Sequence, residues 1–418
     1  MPAKSRTLSD IHGILDRQAR NALNALAGRP VTTPSLACAT LDPDDVEIAR
    51  AWLRDRSAWG DEAIVDHYES EFAAWNGSRY AFAFMAGRVA LSAAIHALGL
   101  GPGDQVIVPG YTCVVVTNAF AYAGVEVIFS DIELDTYGPD AARIENMITP
   151  RTRAIVVQHL YGLVCRDYNA IVELARKRGL RIIEDCAHGT GALHHGVKVG
   201  NLGDVAFYSS EQSKVYTTVQ GGMATTNDDS IAAGLRAYRD NAPLPDDDWI
   251  DRHLHNVILD YYRYKDPRRW WRGDVEMITH GRKRLVSTTK DECRGIRPSH
   301  YGRRMAAPIA AIGRNQLAKV DAYNERRRQT ARRWDAWCES SGYRKPVVID
   351  DSVPVFLRYP VLVEPEKKRD TTWALEELGV TLGVWFLTHT HPAPCEVTGC
   401  PNADEAVARC VNLPCLIA

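Results

Sequence analysis

No C-x-x-C pair occurs among the ten cysteines, and no run of eighteen apolar residues occurs anywhere in the chain. The first absence argues against paired-cysteine zinc sites and dithiol redox motifs; Cys395 and Cys400 stand close together but lack a matching second pair. The second leaves no candidate for a membrane-spanning helix. Residues 1–10, Met-Pro-Ala-Lys-Ser-Arg-Thr-Leu-Ser-Asp, carry no apolar segment of the signal-peptide kind. Charge of neither sign is in excess: 50 Lys and Arg against 52 Asp and Glu leave a formal net charge of −2. Bulk charge therefore gives no reason to expect nucleic acid as a partner. Internal repeats and low-complexity tracts are also lacking. The resulting expectation is a cytoplasmic globular protein with reduced thiols.

With 418 residues and 45% apolar content, the chain is long enough for one large domain and a smaller one. Residues 8–28 have helical spacing of apolar positions and end at the breaker Gly28-Arg-Pro-Val-Thr-Thr-Pro. Two helical patterns follow between 45 and 76, closed by the turn Asn76-Gly77. The expected organisation is an N-terminal arm with helices over 1–65 and a large domain over 66–244. A helical, aromatic and basic insertion over 245–300 and a linking helix with a small C-terminal domain over 301–418 complete it.

Within the large domain, strand and helix patterns alternate, which marks a mostly parallel sheet covered on both faces. Strands are predicted at Tyr80–Phe84, Gln105–Val108, Glu126–Phe129, Ala154–His159, Arg181–Glu184, Val205–Ser209 and Gly222–Thr226. Helices are predicted at Val89–Leu98, Val114–Ala123, Asp140–Met147 and Tyr168–Lys177. In such α/β sheets ligands gather beyond the carboxyl ends of the strands, where Asp185, Ser209 and the Gly87 turn all fall.

Two short stretches carry the chemistry. In Asp204-Val-Ala-Phe-Tyr-Ser-Ser-Glu-Gln-Ser-Lys214, a serine and a lysine lie just past an apolar strand, a spacing suited to a cofactor phosphate and a Schiff base. Upstream, Glu184-Asp185-Cys186-Ala187-His188 follows another apolar run. A buried carboxylate there suits the protonated nitrogen of pyridoxal phosphate while the lysine amine holds its aldehyde. Taken singly, a lysine at a strand end is a surface residue and an aspartate there is a cap or turn residue.

These residues resemble the DegT/DnrJ/EryC1/StrS family of pyridoxal phosphate-dependent sugar aminotransferases. The blocks that carry the resemblance are Gly101-Pro-Gly-Asp-Gln-Val-Ile-Val-Pro109, Glu184-Asp-Cys-Ala-His188, Gly203-Asp-Val-Ala-Phe and Ser209 to Lys214, followed by Gly221-Gly-Met-Ala-Thr-Thr-Asn227. The resemblance implies the fold type I of such transferases, a seven-stranded, mostly parallel sheet sandwiched by helices plus a smaller α+β C-terminal domain. It implies that Lys214 forms the Schiff base and shuttles a proton, and that Asp185 bonds the ring nitrogen. Ser209 and the amides of Gly87 and Arg88, at a helix start, would take the phosphate. Family dehydratases carry His at the lysine position, so Lys214 favours transamination.

Several positions depart from the family pattern. Ala86-Gly87-Arg88 replaces the common Ser-Gly-Thr, which makes the Arg88 guanidinium a candidate phosphate contact. Cys113 stands where an aromatic ring usually stacks on the cofactor; Tyr111 is an alternative source of a ring, with core packing as its competing explanation. His188 stands where a Gln often bonds the phenolic oxygen, a bond an imidazole can also make. Gly302 replaces the Asn that the partner subunit supplies to the phosphate, and Tyr301 or Arg303 are candidates to compensate. His389 is a candidate to reach the site from the smaller domain; with His391 it forms a metal pair lacking a third ligand.

The resemblance also implies a homodimer with the acceptor at the interface, a keto sugar, often nucleotide-linked, or a keto cyclitol, and glutamate or glutamine as amino donor. Alternatives are a pyridoxal phosphate-dependent dehydratase or lyase, and a non-catalytic, cofactor-binding regulatory protein. For the insertion, Arg268, Arg269 and Arg272 are candidates to meet a diphosphate; the alternative is a solvated basic face. Eight basic residues between Arg263 and Arg284, interleaved with Trp270 and Trp271, leave contact of 263–284 with an anionic membrane as a third reading.

Overall fold

A computed structural model describes residues 40–265, 270–281, 284–393, 395 and 397–416. The arm expected at 8–28 and the candidate diphosphate ligands Arg268 and Arg269 lie outside the described residues. The chain enters through α1 (Pro43–Arg54) and α2 (Glu62–Asn76). Asp61 caps the second helix by accepting from Ala63 N, and Gly77, at φ 78°, ends it.

The seven expected strands all form, as β1 (Tyr80–Phe84), β2 (Gln105–Pro109), β3 (Glu126–Ser130), β4 (Thr152–Gln158), β5 (Arg181–Asp185), β6 (Val205–Ser209) and β7 (Gly222–Thr226). They make one sheet in the order β1-β7-β6-β5-β4-β2-β3. Only β7 runs against its neighbours. The helices between them are α3 (Gly87–Ala97), α4 (Val114–Tyr122), α5 (Ala141–Met147) and α6 (Tyr168–Arg178), followed by α7 (Asp229–Asn241).

Alternation along the strands explains why the sheet needs cover on both sides. Ala83, Ile107, Ile155, Val157 and Ile182 join the core on one face. Their sequence neighbours Phe82, Phe84, Val106, Val108, Val156 and Ile183 join the core on the other, with Val89, Leu91 and Ile95 of α3. A strand buried on both faces reads as an unbroken apolar run.

After α7, the 245–300 segment forms α8 (Asp247–Tyr264) and α9 (Trp270–Thr279). Asp246 caps α8 by accepting from Trp249 N at 2.8 Å. Ile250, Leu254, Val257 and Ile258 of α8 belong to the main core, so α8 is packed into the protein body, whereas α9 leaves Trp271, Val275 and Ile278 exposed. Next come α10 (Ala307–Leu317) and the long α11 (Val320–Ser341). The C-terminal part pairs β8 (Arg358–Leu362) antiparallel with β9 (Cys410–Pro414). Thr390 and His391 pair in parallel with Thr112 and Cys113, which brings the segment around Phe386 to the carboxyl end of the large sheet.

Candidate functional site

The main cavity opens at that end of the sheet. Its wall is built from the residues that follow β1, β4, β5 and β6 and precede β7, from the start of α3, and from 245–249 and 286–303 of the same chain. Lys214, Asp185, His188, Ser209, Gly87, Arg88, Cys113, Tyr301 and Arg303 all line it.

Lys214 sits on a loop that its backbone holds firmly. Ser210 N donates to Gly221 O at 3.0 Å, Thr218 N to Ser210 O at 2.9 Å, and Gln212 N to Val219 O at 3.0 Å. From this base the lysine Nζ lies 2.9 Å from His188 Nε2 and 5.2 Å from the centre of the Trp385 ring. That ring in turn stacks on His188, with centroids 4.8 Å apart.

The tautomer of His188 follows from its other nitrogen. Nδ1 accepts from the backbone N–H of Tyr161 at 3.3 Å, which favours the ring proton on Nε2; that proton suits an acceptor in the cavity and not the ammonium of Lys214, itself a donor 2.9 Å away. Tyr161 makes this bond from a left-handed backbone conformation, φ 58°, that few non-glycine residues adopt. Burial, with the charges of Lys214 and Arg358, holds the His188 pKa well below the ordinary imidazole range. The ring is therefore neutral near pH 7.

Asp185 ends β5 and is buried, accepting from Ala187 N at 3.0 Å. Burial raises its pKa, against the pull of that amide and of the Lys214 charge. A carboxyl group in this position gains most from a cationic N–H presented inside the cavity. Its neighbour Glu184 is different. Burial pushes that carboxyl up, but hydrogen bonds from His159, Tyr168 and Gly203 N outweigh it and the pKa falls below the ordinary value. Glu184 also accepts from Gly200 N and Leu202 N, so it is a structural anchor turned away from the chemistry.

At the opposite side, α3 starts without any side chain capping its N-terminus and without an acidic residue in its first turn. Such a terminus presents unpaired amides and a positive dipole to an anion. A Cβ on Gly87 would lie 2.9 Å from Ser209 Cβ and 3.2 Å from its Oγ, so only glycine leaves room between helix and hydroxyl. Gly222 has a similar reason: a Cβ there would lie 2.4 Å from Ala86 C. Together, the amine of Lys214, the buried carboxyl of Asp185 and this cradle suit the aldehyde, ring nitrogen and phosphate of pyridoxal phosphate.

Other candidates are placed differently from expectation. The Arg88 guanidinium is bound by Glu292 and by Ser287 O, both from the 245–300 segment, so its side chain ties that segment to α3; its amide stays at the helix start. Tyr111 does not reach the cavity. It is wholly buried and shares hydrogen bonds with Tyr161 OH at 2.9 Å, Trp385 O at 3.0 Å and Phe386 N at 2.9 Å, so core packing accounts for it. His389 is likewise absent from the wall, with Nε2 2.9 Å from Asp404. His391 stacks on Phe386. Tyr301 bonds Ser92 Oγ at 2.8 Å and Arg88 O at 3.0 Å, bracing the first turn of α3. Arg303 donates to Leu244 O at 2.7 Å. Arg272 lies over the exposed Trp271 ring, as a solvated basic face would have it, and does not line the cavity.

Sequence reasoning missed Trp385, Phe386, Trp249, His159 and Glu292. His159 stands directly after β4, a strand-end position that was a signal for it, whereas the other four lie in no motif and reach the site only through tertiary packing.

The model of the DegT/DnrJ/EryC1/StrS aminotransferase family matches residues 44–418. A GDP-perosamine synthase of Escherichia coli O157:H7 is 30% identical over 396 residues, covering 92% of this chain and 92% of that protein. A GDP-perosamine synthase of Caulobacter vibrioides is 44% identical over 176 residues, 42% of this chain; the match spans about half of that protein, 47%. Among solved structures, the aminotransferase TlmJ from Streptoalloteichus hindustanus is similar with a TM-score of 0.69 and 25% identity, covering 90% of this chain and 91% of that one.

Proposed function

The chain belongs to the DegT/DnrJ/EryC1/StrS aminotransferase family, a pyridoxal 5′-phosphate-dependent family, and from that premise we propose that it aminates a keto sugar with glutamate or glutamine as donor. The observation that carries the reading is the shared cavity of Lys214 and the buried Asp185, with the α3 terminus and Ser209 across from them.

Bound pyridoxal phosphate supplies an aldehyde that condenses with amines and a ring that accepts electrons. With the cofactor bound, Lys214 would hold it covalently, and its amine, once freed, would carry the proton at the substrate carbon. Asp185 keeps the ring nitrogen protonated, the arrangement that relieves the cost of its own burial. His188 donates from Nε2–H to the phenolic oxygen, as a glutamine amide would. The amides of Gly87 and Arg88 and the hydroxyl of Ser209 hold the phosphate. Cys113 borders the cofactor without supplying an aromatic face. Tyr301 and Arg303 shape the acceptor side, with Trp249 and the residues from Val286 to Thr289 excluding water.

A nucleotide-linked keto sugar is the preferred acceptor, in keeping with the two similar GDP-perosamine synthases, and a keto cyclitol is the second choice. The working unit is a cytoplasmic homodimer with the acceptor at its interface. Conversion of the loaded enzyme to the pyridoxamine form by glutamate or glutamine, read by absorbance, tests the donor half. Return to the starting spectrum with a nucleotide-linked keto sugar tests the acceptor half. A spectrum unmoved by either amino acid overturns the reading.

A further inference from the structure

Helices α8 and α9 bring together His255, Glu276 and His280. One nitrogen of each imidazole and one carboxylate oxygen lie within 4.8 Å of one another, and the two rings are 4.5 Å apart. Nothing in the proposed reaction uses these side chains, and none of them lines the main cavity.

The hydrogen bonds of the two histidines prepare them as ligands. His255 Nδ1 lies 2.9 Å from Asp251 O and 3.2 Å from the Asp251 carboxylate. His280 Nδ1 lies 2.9 Å from Glu276 O, 3.2 Å from Thr279 Oγ1 and 3.9 Å from the Glu276 carboxylate. A carbonyl oxygen only accepts, so each Nδ1 carries the ring proton and each Nε2 keeps its lone pair. A histidine that gives its second N–H to a carbonyl or carboxylate is the arrangement that orients imidazoles on metals.

We propose that His255, Glu276 and His280 form a site for a zinc-like divalent cation, with water in the fourth position. Two imidazoles and one carboxylate suit zinc, cobalt or nickel; magnesium and calcium prefer shells made of oxygen. Zinc ligands lie about 2.0–2.2 Å from the ion, hence at most about 4.4 Å apart. Nδ1 is the His280 nitrogen that lies 3.9 Å from the Glu276 carboxylate, so a turn of the His280 ring, whose side chain is 48% exposed, is what brings Nε2 into the shell. The occupied site clips α9 to α8. The start of α8 brings Trp249 to the cavity, and the chain beyond α9 brings Ser287 and Glu292 to Arg88. The ion therefore braces both ends of the wall that covers the site.

The test is titration of the cofactor-loaded protein with zinc chloride by calorimetry, beside the His280→Ala and Glu276→Gln variants, whose side chains are exposed enough to leave the fold intact. The expected result is one ion per chain at micromolar concentration, a higher melting temperature with zinc, and binding about tenfold or more weaker in either variant. Cobalt in place of zinc gives a spectrum without thiolate charge transfer. Equal binding by His280→Ala, a thiolate band with cobalt, or no saturable binding overturns the proposal.

Discussion

Lys214 Nζ lies 2.9 Å from Nε2 of His188, whose opposite nitrogen is already engaged by the Tyr161 amide. The Tyr161 bond places the ring proton on Nε2, and so makes His188 a neutral donor pointed at the place where the lysine works. His188→Gln keeps a donor there and is expected to retain turnover within about tenfold, whereas His188→Ala loses about 10²-fold. The lowered pKa also has a direction: the imidazole stays neutral above its unfolded value near 6.5, and its contribution to stability is lost as pH falls below that. Turnover between about pH 6.5 and 8 should show no ionisation that disappears in His188→Gln. A pH profile of the wild type and both variants checks this.

Asp185→Asn is isosteric but removes the charge that would keep the ring nitrogen protonated. Turnover is expected to fall by about 10²–10⁴-fold while the protein still takes up cofactor at higher concentration. Single-turnover rates with glutamate, measured at saturating cofactor, separate the lost chemistry from lost binding.

At Gly87 the space is the test. The added Cβ of Gly87→Ala meets Ser209 Cβ at 2.9 Å, so helix and hydroxyl must part. Overpacking of this kind costs about 1–3 kcal/mol, and a loss of that size in cofactor binding corresponds to affinity weaker by about 5- to 150-fold. Equilibrium dialysis of the variant measures it, beside melting of the cofactor-free protein, where the same overpacking lowers the melting temperature.

The Arg88–Glu292 pair links α3 to the segment that covers the site, with side chains 14% and 3% exposed. Burial pushes the Glu292 carboxyl up, but Arg88 and Thr289 outweigh it, so its folded pKa lies below 4.5. Stability from this pair is therefore present above about pH 4.5 and lost as pH falls through the lowered value. Arg88→Ala leaves a buried, unpaired carboxylate and should cost about 3 kcal/mol at pH 7. Arg88→Met with Glu292→Leu should recover most of it. Urea unfolding of the single and double variants checks the cycle.

The sheet was legible in the sequence because strands buried on both faces leave apolar runs closed by turn residues. Val205–Ser209 and Gly222–Thr226 form as predicted, and the ends of β2 and β5 each extend by one residue. Lys214, Asp185, Ser209 and Gly87 were legible for a related reason, since each stands at the carboxyl end of a strand or the turn after one. Tyr111 and His389 were not. Tyr111 lies just past the end of β2 but turns into a cluster with Tyr161 and Trp385, and His389, which precedes the short pairing at Thr390, pairs with Asp404. Glu292 is 204 residues from Arg88 and Trp385 stacks on a histidine from another strand end, contacts that local pattern cannot supply.

The central claim is that Lys214 carries the cofactor. Borohydride reduction of the loaded enzyme followed by peptide mapping tests it most directly. The account predicts one pyridoxyl group per chain, on Lys214, and none in Lys214→Ala, whose half-reaction with glutamate falls by about 10³-fold or more. A pyridoxyl group on another lysine, or a Lys214→Ala protein that keeps both the label and the half-reaction, would contradict it.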